Sequence, residues 1–308
     1  MEPVTVAVPR KGRPLEAVLD RLAGRPEARR VADAVTETLR REKAITKGRA
    51  TPSDDVYARL AAYSDTSDPY AADYTLVRDD RSGKPRRVVF DSLTMDVEGV
   101  PVRLVGREEP FRALRKHEFA LGFDSADLVL EEVVALREDP LASIEDVNDR
   151  IDPHDTDVRV VAGLGDTVYH TLLGTSDVRG ADDLDRSFLR GYEGPLCISP
   201  RYERLVEAVL GLDALDGIEF VYPDADATEE AAIADVGLGV YLTVTGSTAR
   251  EHGLDRGERL FPSETVLMEN LSEVATSDRG DPGALERVRD AALADVDTEL
   301  STAPLAGK

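Results

Sequence analysis

Short apolar runs recur along the chain, separated by stretches whose apolar positions fall at helical spacing. Val4-Thr-Val-Ala-Val-Pro9 is an apolar run that predicts a buried strand. Pro14 then opens a helix, with Leu15, Val18, Leu19 and Leu22 on one stripe and Gly24 as its stop. Residues 86–90 and 102–105 predict short strands, 109–116 a short helix, 119–123 a strand and 126–136 a helix. Farther on, strands are expected at 158–164, 167–173, 195–199 and 218–222. A helix over 201–210 turns Leu205, Val206, Val209 and Leu210 inward, and a short one covers 229–234. Short strands at 259–261 and 265–268 precede a last amphipathic helix from Gly283 to about Asp297. The alternation of strands and helices predicts an α/β fold with largely parallel sheets, and no internal repeat is visible. Residues 25–49 are charged and helical in pattern, and 50–87 are polar. Together they predict an excursion from the core with a loop of low order.

One stretch joins pattern to chemistry: Tyr241-Leu-Thr-Val-Thr-Gly-Ser-Thr-Ala-Arg-Glu-His-Gly-Leu254. Its first half alternates and is β-branched, as a strand should be. It breaks at Thr245, Gly246, Ser247 and Thr248, and Ala249 to Glu251 can begin a helical turn. Such a break exposes backbone N–H groups, hydroxyls and the positive end of a helix to one point, which suits a phosphate. A plain turn with Ser247 or Thr248 as N-cap explains the same residues. Arg10-Lys-Gly-Arg13 after the first strand is a second basic turn at a strand's carboxyl end. It reads either as part of an α/β ligand site or as a surface turn with Lys11 and Arg13 solvated.

Composition restricts the partners. The 308 residues hold 61 acidic against 38 basic side chains, a net charge of −23, and the acidity runs through the whole chain. A solvated acidic shell suits a halophilic protein, since salt screens its self-repulsion. It disfavours nucleic-acid binding, which needs a basic face. A lone cysteine, Cys197, allows no internal disulfide and no cysteine-based metal cluster. No membrane-length apolar run and no signal-peptide core are visible, so a cytoplasmic location without membrane association is expected.

Four segments give the chain a resemblance to a known family. They are Val6-Ala-Val-Pro-Arg-Lys-Gly-Arg13, Phe119-Ala-Leu-Gly-Phe-Asp-Ser-Ala-Asp-Leu-Val-Leu-Glu131, Cys197-Ile-Ser-Pro-Arg-Tyr202, and Thr245-Gly-Ser-Thr248 with His252-Gly-Leu254. In order and chemistry the chain resembles ATP phosphoribosyltransferase, the first enzyme of histidine biosynthesis. The match covers most of 3–24 and 95–272. The resemblance implies two α/β lobes of the type II periplasmic-binding-protein kind, with substrates in the cleft between them. Lobe I would hold residues 1–164, completed by 256–308, and lobe II residues 165–255 with the phosphate loop. The chain would then cross twice between lobes. No regulatory C-terminal domain is expected.

The same resemblance implies the reaction: ATP, through adenine N1, joined to phosphoribosyl pyrophosphate, with Mg²⁺ held through the bound phosphates. Thr245, Gly246, Ser247 and Thr248 would take the 5′-phosphate. Lys11, Gly12, Arg13 and Arg201 would face the pyrophosphate or nucleotide phosphates, and Asp127 and Glu131 the ribose or its supporting residues. A homo-oligomer is expected. The chain departs from the family in three places. The strand Val236–Val244 carries no acid, Ala120 and Asp124 stand where the family has Asp and Thr, and only Arg201 can answer the family's lysine. These departures keep two alternatives: transfer to a closely related acceptor, and a non-catalytic binding module for a phosphorylated metabolite or nucleotide.

Other candidates point to no chemistry. His117, His154, His170 and His252 lack metal-ligand spacing and read as ordinary surface or core imidazoles. No catalytic nucleophile is assigned, and Cys197 in an apolar strand is expected to be buried and inert. Asp224, Asp226, Glu229 and Glu230 read as a solvated acidic loop.

Overall fold

The computed structural model describes residues 2–65, 67–68, 70–78, 86–141, 144–180, 183–224, 228–243, 246–277, 283–294 and 296. The apolar run at the start forms β1 (Val4–Pro9), and α1 (Gly12–Leu22) buries Leu15, Val18, Leu19 and Leu22, the expected stripe. α2 (Pro26–Thr46) starts with proline at its first turn, and α3 (Val56–Tyr63) is capped by Asp55, which accepts from the N–H groups of Tyr57 and Ala58. β2 (Asp73–Arg78), β3 (Arg86–Val97) and β4 (Val100–Arg107) follow. Glu98 and Gly99, both at positive φ, make the two-residue turn between β3 and β4. Next come α4 (Pro110–Arg115), β5 (Leu121–Ser125), α5 (Ala126–Glu132) and β6 (Val158–Gly163). β7 (Val168–Thr175), α6 (Ser176–Arg179), α7 (Arg186–Gly191), β8 (Gly194–Cys197) and α8 (Glu203–Leu210) continue the chain. The remainder is β9 (Ile218–Val221), α9 (Glu229–Val236), β10 (Leu238–Thr243), α10 (Ser247–Glu251), β11 (Leu254–Ser263), β12 (Thr265–Asn270), α11 (Leu271–Ser277) and α12 (Ala284–Leu293).

These elements build an α/β protein of two compact units, each with its own sheet. The first unit comprises Met1–Asp124, Asp157–Asp166 and Thr265–Val296, and its sheet has the order β2-β3-β4-β1-β5-β12-β6. Its core gathers Val6 and Val8 of β1 with the α1 stripe, Val35 and Leu39 of α2, and Val288 of α12. The second unit comprises Ser125–Thr156 and Thr167–Glu264, with a sheet of order β11-β7-β10-β8-β9.

Three expectations need correction. The sheets are mixed rather than largely parallel: β2, β3 and β4 run antiparallel in succession, β12 runs against β6, and β7 runs against both β10 and β11. The runs β4-β1-β5 and β10-β8-β9 are parallel. Short turns such as Glu98-Gly99 permit antiparallel return, and the alternation of types along a sequence does not reveal them.

The unit boundaries also differ from those expected. Among the described residues the chain changes unit at four points, Asp124/Ser125, Thr156/Asp157, Asp166/Thr167 and Glu264/Thr265, where two were expected. Residues 125–156 join the second unit because α5 packs on α8, Leu141 N–H donates to Ala208 at 3.0 Å and Leu212 N–H to Arg137 at 3.0 Å. Residues 256–264 join it as part of β11, paired along β7.

The excursion, finally, is ordered where it is described. β2 extends the sheet beside β3, and α2 packs on β3. Glu42 of α2, buried, accepts two bonds from Arg59 of α3, at 2.7 and 3.0 Å, and one from Tyr63 at 2.9 Å. That ion pair needs one residue from each helix, so neither segment alone betrays it.

Candidate functional site

In the second unit β10 lies between β7 and β8, parallel to β8 and β9. The carboxyl ends of β8 and β10 therefore fall on one edge, where open α/β sheets place their ligands. The chain leaving β8 there carries Ser199, Arg201 and Tyr202, and the chain leaving β10 carries Gly246, Ser247 and Thr248. Thr245 lies outside the described residues.

Gly246, at φ 68° and ψ 19°, is the residue before α10, and among the described residues no side chain caps that helix. Neither Ser247 nor Thr248 is thus the N-cap that the plain-turn reading supposed. Both stand exposed in the first turn, while Gly246 and Ala249 are buried. Ala249 anchors the turn in a small core with Leu173, Cys197, Ile233 and Leu254. A positive φ favours glycine, and the space is also taken: a Cβ on Gly246 would lie 2.9 Å from Nε of Arg256. This arginine, from β11, brings a cation to the turn and was not singled out from the sequence. Its position follows from the return of β11 beside β7.

The antiparallel strand β7 brings its amino end to the same edge, with Thr243 opposite Tyr169 and Leu242 opposite His170. His170 is buried, and its Nε2 lies 3.1 Å from the Asp127 carboxylate, which also accepts from Ser263 Oγ at 3.0 Å. Burial alone would raise the pKa of Asp127. Its bond to His170 and that residue's charge, with bonds from Ser263 and Ser125, outweigh burial and hold the carboxylate below its ordinary value. His170 Nδ1 is buried without a hydrogen-bond partner among the described residues, and the ring meets Tyr202 edge-on at 5.0 Å. Burial, and then the charge of Asp127, push the Tyr202 phenol up. Arg201 lies over the Tyr202 ring at 5.2 Å, and Arg259 over Tyr169 at 4.6 Å. His170 is thus a core imidazole. Its partnership with Asp127 spans 43 positions, and its only signal in the sequence is an imidazole inside an apolar strand.

The other predicted residues divide. Glu131 is turned to structure: its Oε2 accepts the N–H of Leu205 at 3.0 Å in the first turn of α8, and burial raises its pKa. Asp124, placed by its sequence position near the expected phosphates, instead accepts the N–H of Phe111 at 3.0 Å and closes the start of α4. In the first unit Gly12, at φ 83°, starts α1. Arg13 donates to the carboxylate of Asp166 at 3.0 Å and to its carbonyl, and Asp166 also accepts the N–H and hydroxyl of Thr265, at 2.7 and 2.8 Å. Lys11 Nζ is 3.8 Å from Glu108. Cys197 is buried and its thiol is pushed up to about 11, by burial first and then by Glu229. Among the described residues no three or more His, Cys, Asp or Glu side chains gather into a metal cage; Asp226 lies outside them. Likewise, no described helix is long and apolar enough to cross a membrane.

Two mixed sheets, with glycine turns at strand ends and arginines beside them, define an α/β protein of two units. The chain belongs to the halobacterial ATP phosphoribosyltransferase family, whose model matches residues 1–298. No protein of curated function matches it. Among solved structures it is similar to the ATP phosphoribosyl transferase (HisG:HisZ) complex from Thermotoga maritima, at 15% identity and a TM-score of 0.44, over 95% of this chain and 100% of that one. It is similar also to YhfZ from Shigella flexneri, at 10% identity and a TM-score of 0.41, over 97% and 93% of the two chains. The periplasmic VFT2 domain of BvgS from Bordetella pertussis shares 14% identity at a TM-score of 0.33, over 66% and 74%.

Proposed function

We propose that the protein transfers the phosphoribosyl group of phosphoribosyl pyrophosphate to ATP, or to a closely related acceptor, as in the first step of histidine biosynthesis. The family match over residues 1–298 carries this reading. The bond from ribose C1′ to pyrophosphate breaks, a bond from C1′ to adenine N1 forms, and pyrophosphate leaves. In this reading the turn at Thr245–Thr248 holds the 5′-phosphate through backbone N–H groups and hydroxyls, with Arg256 adding charge beside Gly246. Lys11, Gly12, Arg13 and Arg201 face the pyrophosphate or nucleotide phosphates. Asp127 and Glu131 act as supporting residues, since their carboxylates already hold His170 and the start of α8. The residues at these turns are cations, hydroxyls and backbone donors, which suit phosphates better than a bare metal ion. Mg²⁺ bound through those phosphates would neutralise the departing pyrophosphate. Positioning and charge do the protein's share, with no covalent intermediate. A cytoplasmic homo-oligomer working in high salt completes the reading.

One observation favours a second reading, a binding module without catalysis. β10 reads Leu-Gly-Val-Tyr-Leu-Thr and offers no carboxylate to a developing cationic sugar. A single assay in molar salt separates the two. With ATP, phosphoribosyl pyrophosphate and Mg²⁺, transfer releases pyrophosphate and yields an adduct whose mass is that of the two substrates less pyrophosphate, read by mass spectrometry. Thermal stabilisation by each ligand with neither product would leave the binding module.

A further inference from the structure

A cavity of about 280 Å³ opens in the first unit between α1, α2 and β3. Taking about 30 Å³ per water, it has room for roughly nine waters, and it falls just below the range of about 300–1,000 Å³ that encloses whole drug-sized ligands. It suits a small ligand. Its floor is Leu39, Val88 and Val89, all buried, and its lining carries five basic side chains, Lys11, Arg40, Lys43, Lys47 and Arg87.

Two acids share the lining, and each already has a cationic partner: Glu16 within the lining, Glu42 outside it. Glu16 takes a two-point bond from Arg40, at 3.3 and 2.6 Å, and Glu42 is enclosed by Arg59 and Tyr63. Glu108, beside Lys11 and Arg87, is a third carboxylate, so the five cations keep a local excess of two positive charges in a chain whose net charge is −23. Lys43 and Lys47, one turn apart at the end of α2, have no ion-pair partner among the described residues. Arg87 lies 4.0 Å from Glu108, and its Nε is buried without a hydrogen-bond partner among the described residues. A buried, unsatisfied guanidinium nitrogen costs free energy unless something accepts from it.

We propose that this cavity is a binding site for a small polyphosphate anion, held by Lys43, Lys47 and Arg87 with Lys11 at its mouth. The excess of cations and the unsatisfied Nε call for an acceptor-rich anion. The volume fits two or three linked phosphates and not a whole nucleotide. Two sources share that chemistry: a free inorganic polyphosphate, and the phosphate end of a nucleotide whose base lies outside the cavity. The site goes beyond the transfer reaction, because three of its four cations, Lys43, Lys47 and Arg87, lie outside the turns assigned to that reaction, and only Lys11 is shared.

The test compares two double variants of the full chain that alter α2 equally in charge. Lys43→Gln with Lys47→Gln removes two cations of the cavity. Arg30→Gln with Arg41→Gln removes two exposed cations of the same helix that do not line it. Affinities for inorganic tripolyphosphate and for ATP are measured by calorimetry at fixed molar salt, after melting curves show both variants folded. Tripolyphosphate should bind the unaltered protein, lose at least tenfold in affinity in the lysine variant, and change less than twofold in the arginine variant. A parallel loss for ATP identifies the nucleotide's phosphate end as the ligand, whereas unchanged ATP affinity identifies the free anion. No binding of tripolyphosphate to the unaltered protein, or equal losses in both variants, overturns the proposal. So does an unchanged affinity in the lysine variant, which would leave its lysines as charges serving the helix end. An absent transfer reaction leaves these outcomes untouched, so the two readings fail separately.

Discussion

Thr248 is exposed in the first turn of α10, and the N-cap position is taken by Gly246. Thr248→Ala therefore removes no cap and should change stability by no more than about 0.5 kcal/mol, the usual range for a surface substitution. If its hydroxyl binds phosphate, the loss is a bond to a charged acceptor, about 1.5–3 kcal/mol, or roughly ten- to a hundredfold in affinity. Calorimetry with phosphoribosyl pyrophosphate and a melting curve on the same variant measure both. Unchanged affinity would take Thr248 out of the site. Asp127 makes a different prediction. A carboxylate whose folded pKa is depressed stabilises the fold above its unfolded value, near 4, and loses that contribution as pH falls through the folded one. Asp127→Asn should flatten the decline in stability below about pH 4, read from denaturant unfolding across pH 2–6. Asp127→Ala, which leaves His170 buried without its partner, should cost about 3–5 kcal/mol. Superimposable acid limbs for the protein and the Asn variant would contradict the assignment.

At the scale of elements, the excursion is held by the buried contact of Glu42 with Arg59 and Tyr63. Glu42→Ala leaves a buried guanidinium uncompensated and should cost about 3–5 kcal/mol. Amide hydrogen exchange in α3 and β2 should accelerate more than in β1 and β5, and uniform acceleration would mean that the excursion is no separate unit. The case also shows where the sequence was legible. β1, α1 and α8 announce themselves because local periodicity and burial agree, as with Leu15, Val18, Leu19 and Leu22. The fold class and the turn after β10 were legible for the same reason. Most of β3 beyond Phe90 was not, since its apolar positions are diluted by Asp91, Ser92, Thr94 and Asp96, which pairing with β4 makes acceptable. Arg256 and His170 were hidden for a further reason. Their roles are set by strands that meet from distant parts of the chain.

For the whole molecule the net charge of −23 sets the condition under which everything else is measured. Screening reaches about 3 Å at 1 M salt and about 10 Å at 0.1 M. Dilution therefore lets acidic neighbours repel over several side chains, and the melting temperature should fall between those two concentrations. A flat or rising value would show that the acidic shell carries no salt requirement. The mixture of sheets and the four changes of unit were the least legible features, because strand order is a property of the assembled chain and not of any window within it.

That strand order also constrains how the protein is made. β12 begins at residue 265 and lies between β5 and β6, so β6, finished by Gly163, has no neighbour in its sheet until β12 arrives. On the ribosome about a hundred further residues must be synthesised first. At roughly 5–20 residues per second, the wait is on the order of 5–20 seconds, during which β5 and β6 present open hydrogen-bonding edges. Nascent chains arrested before residue 265 should be cleaved by protease within residues 158–163, and chains arrested well beyond residue 270 should be protected there. The synthesis of residues 164–270 is thus the interval in which this protein depends most on a chaperone.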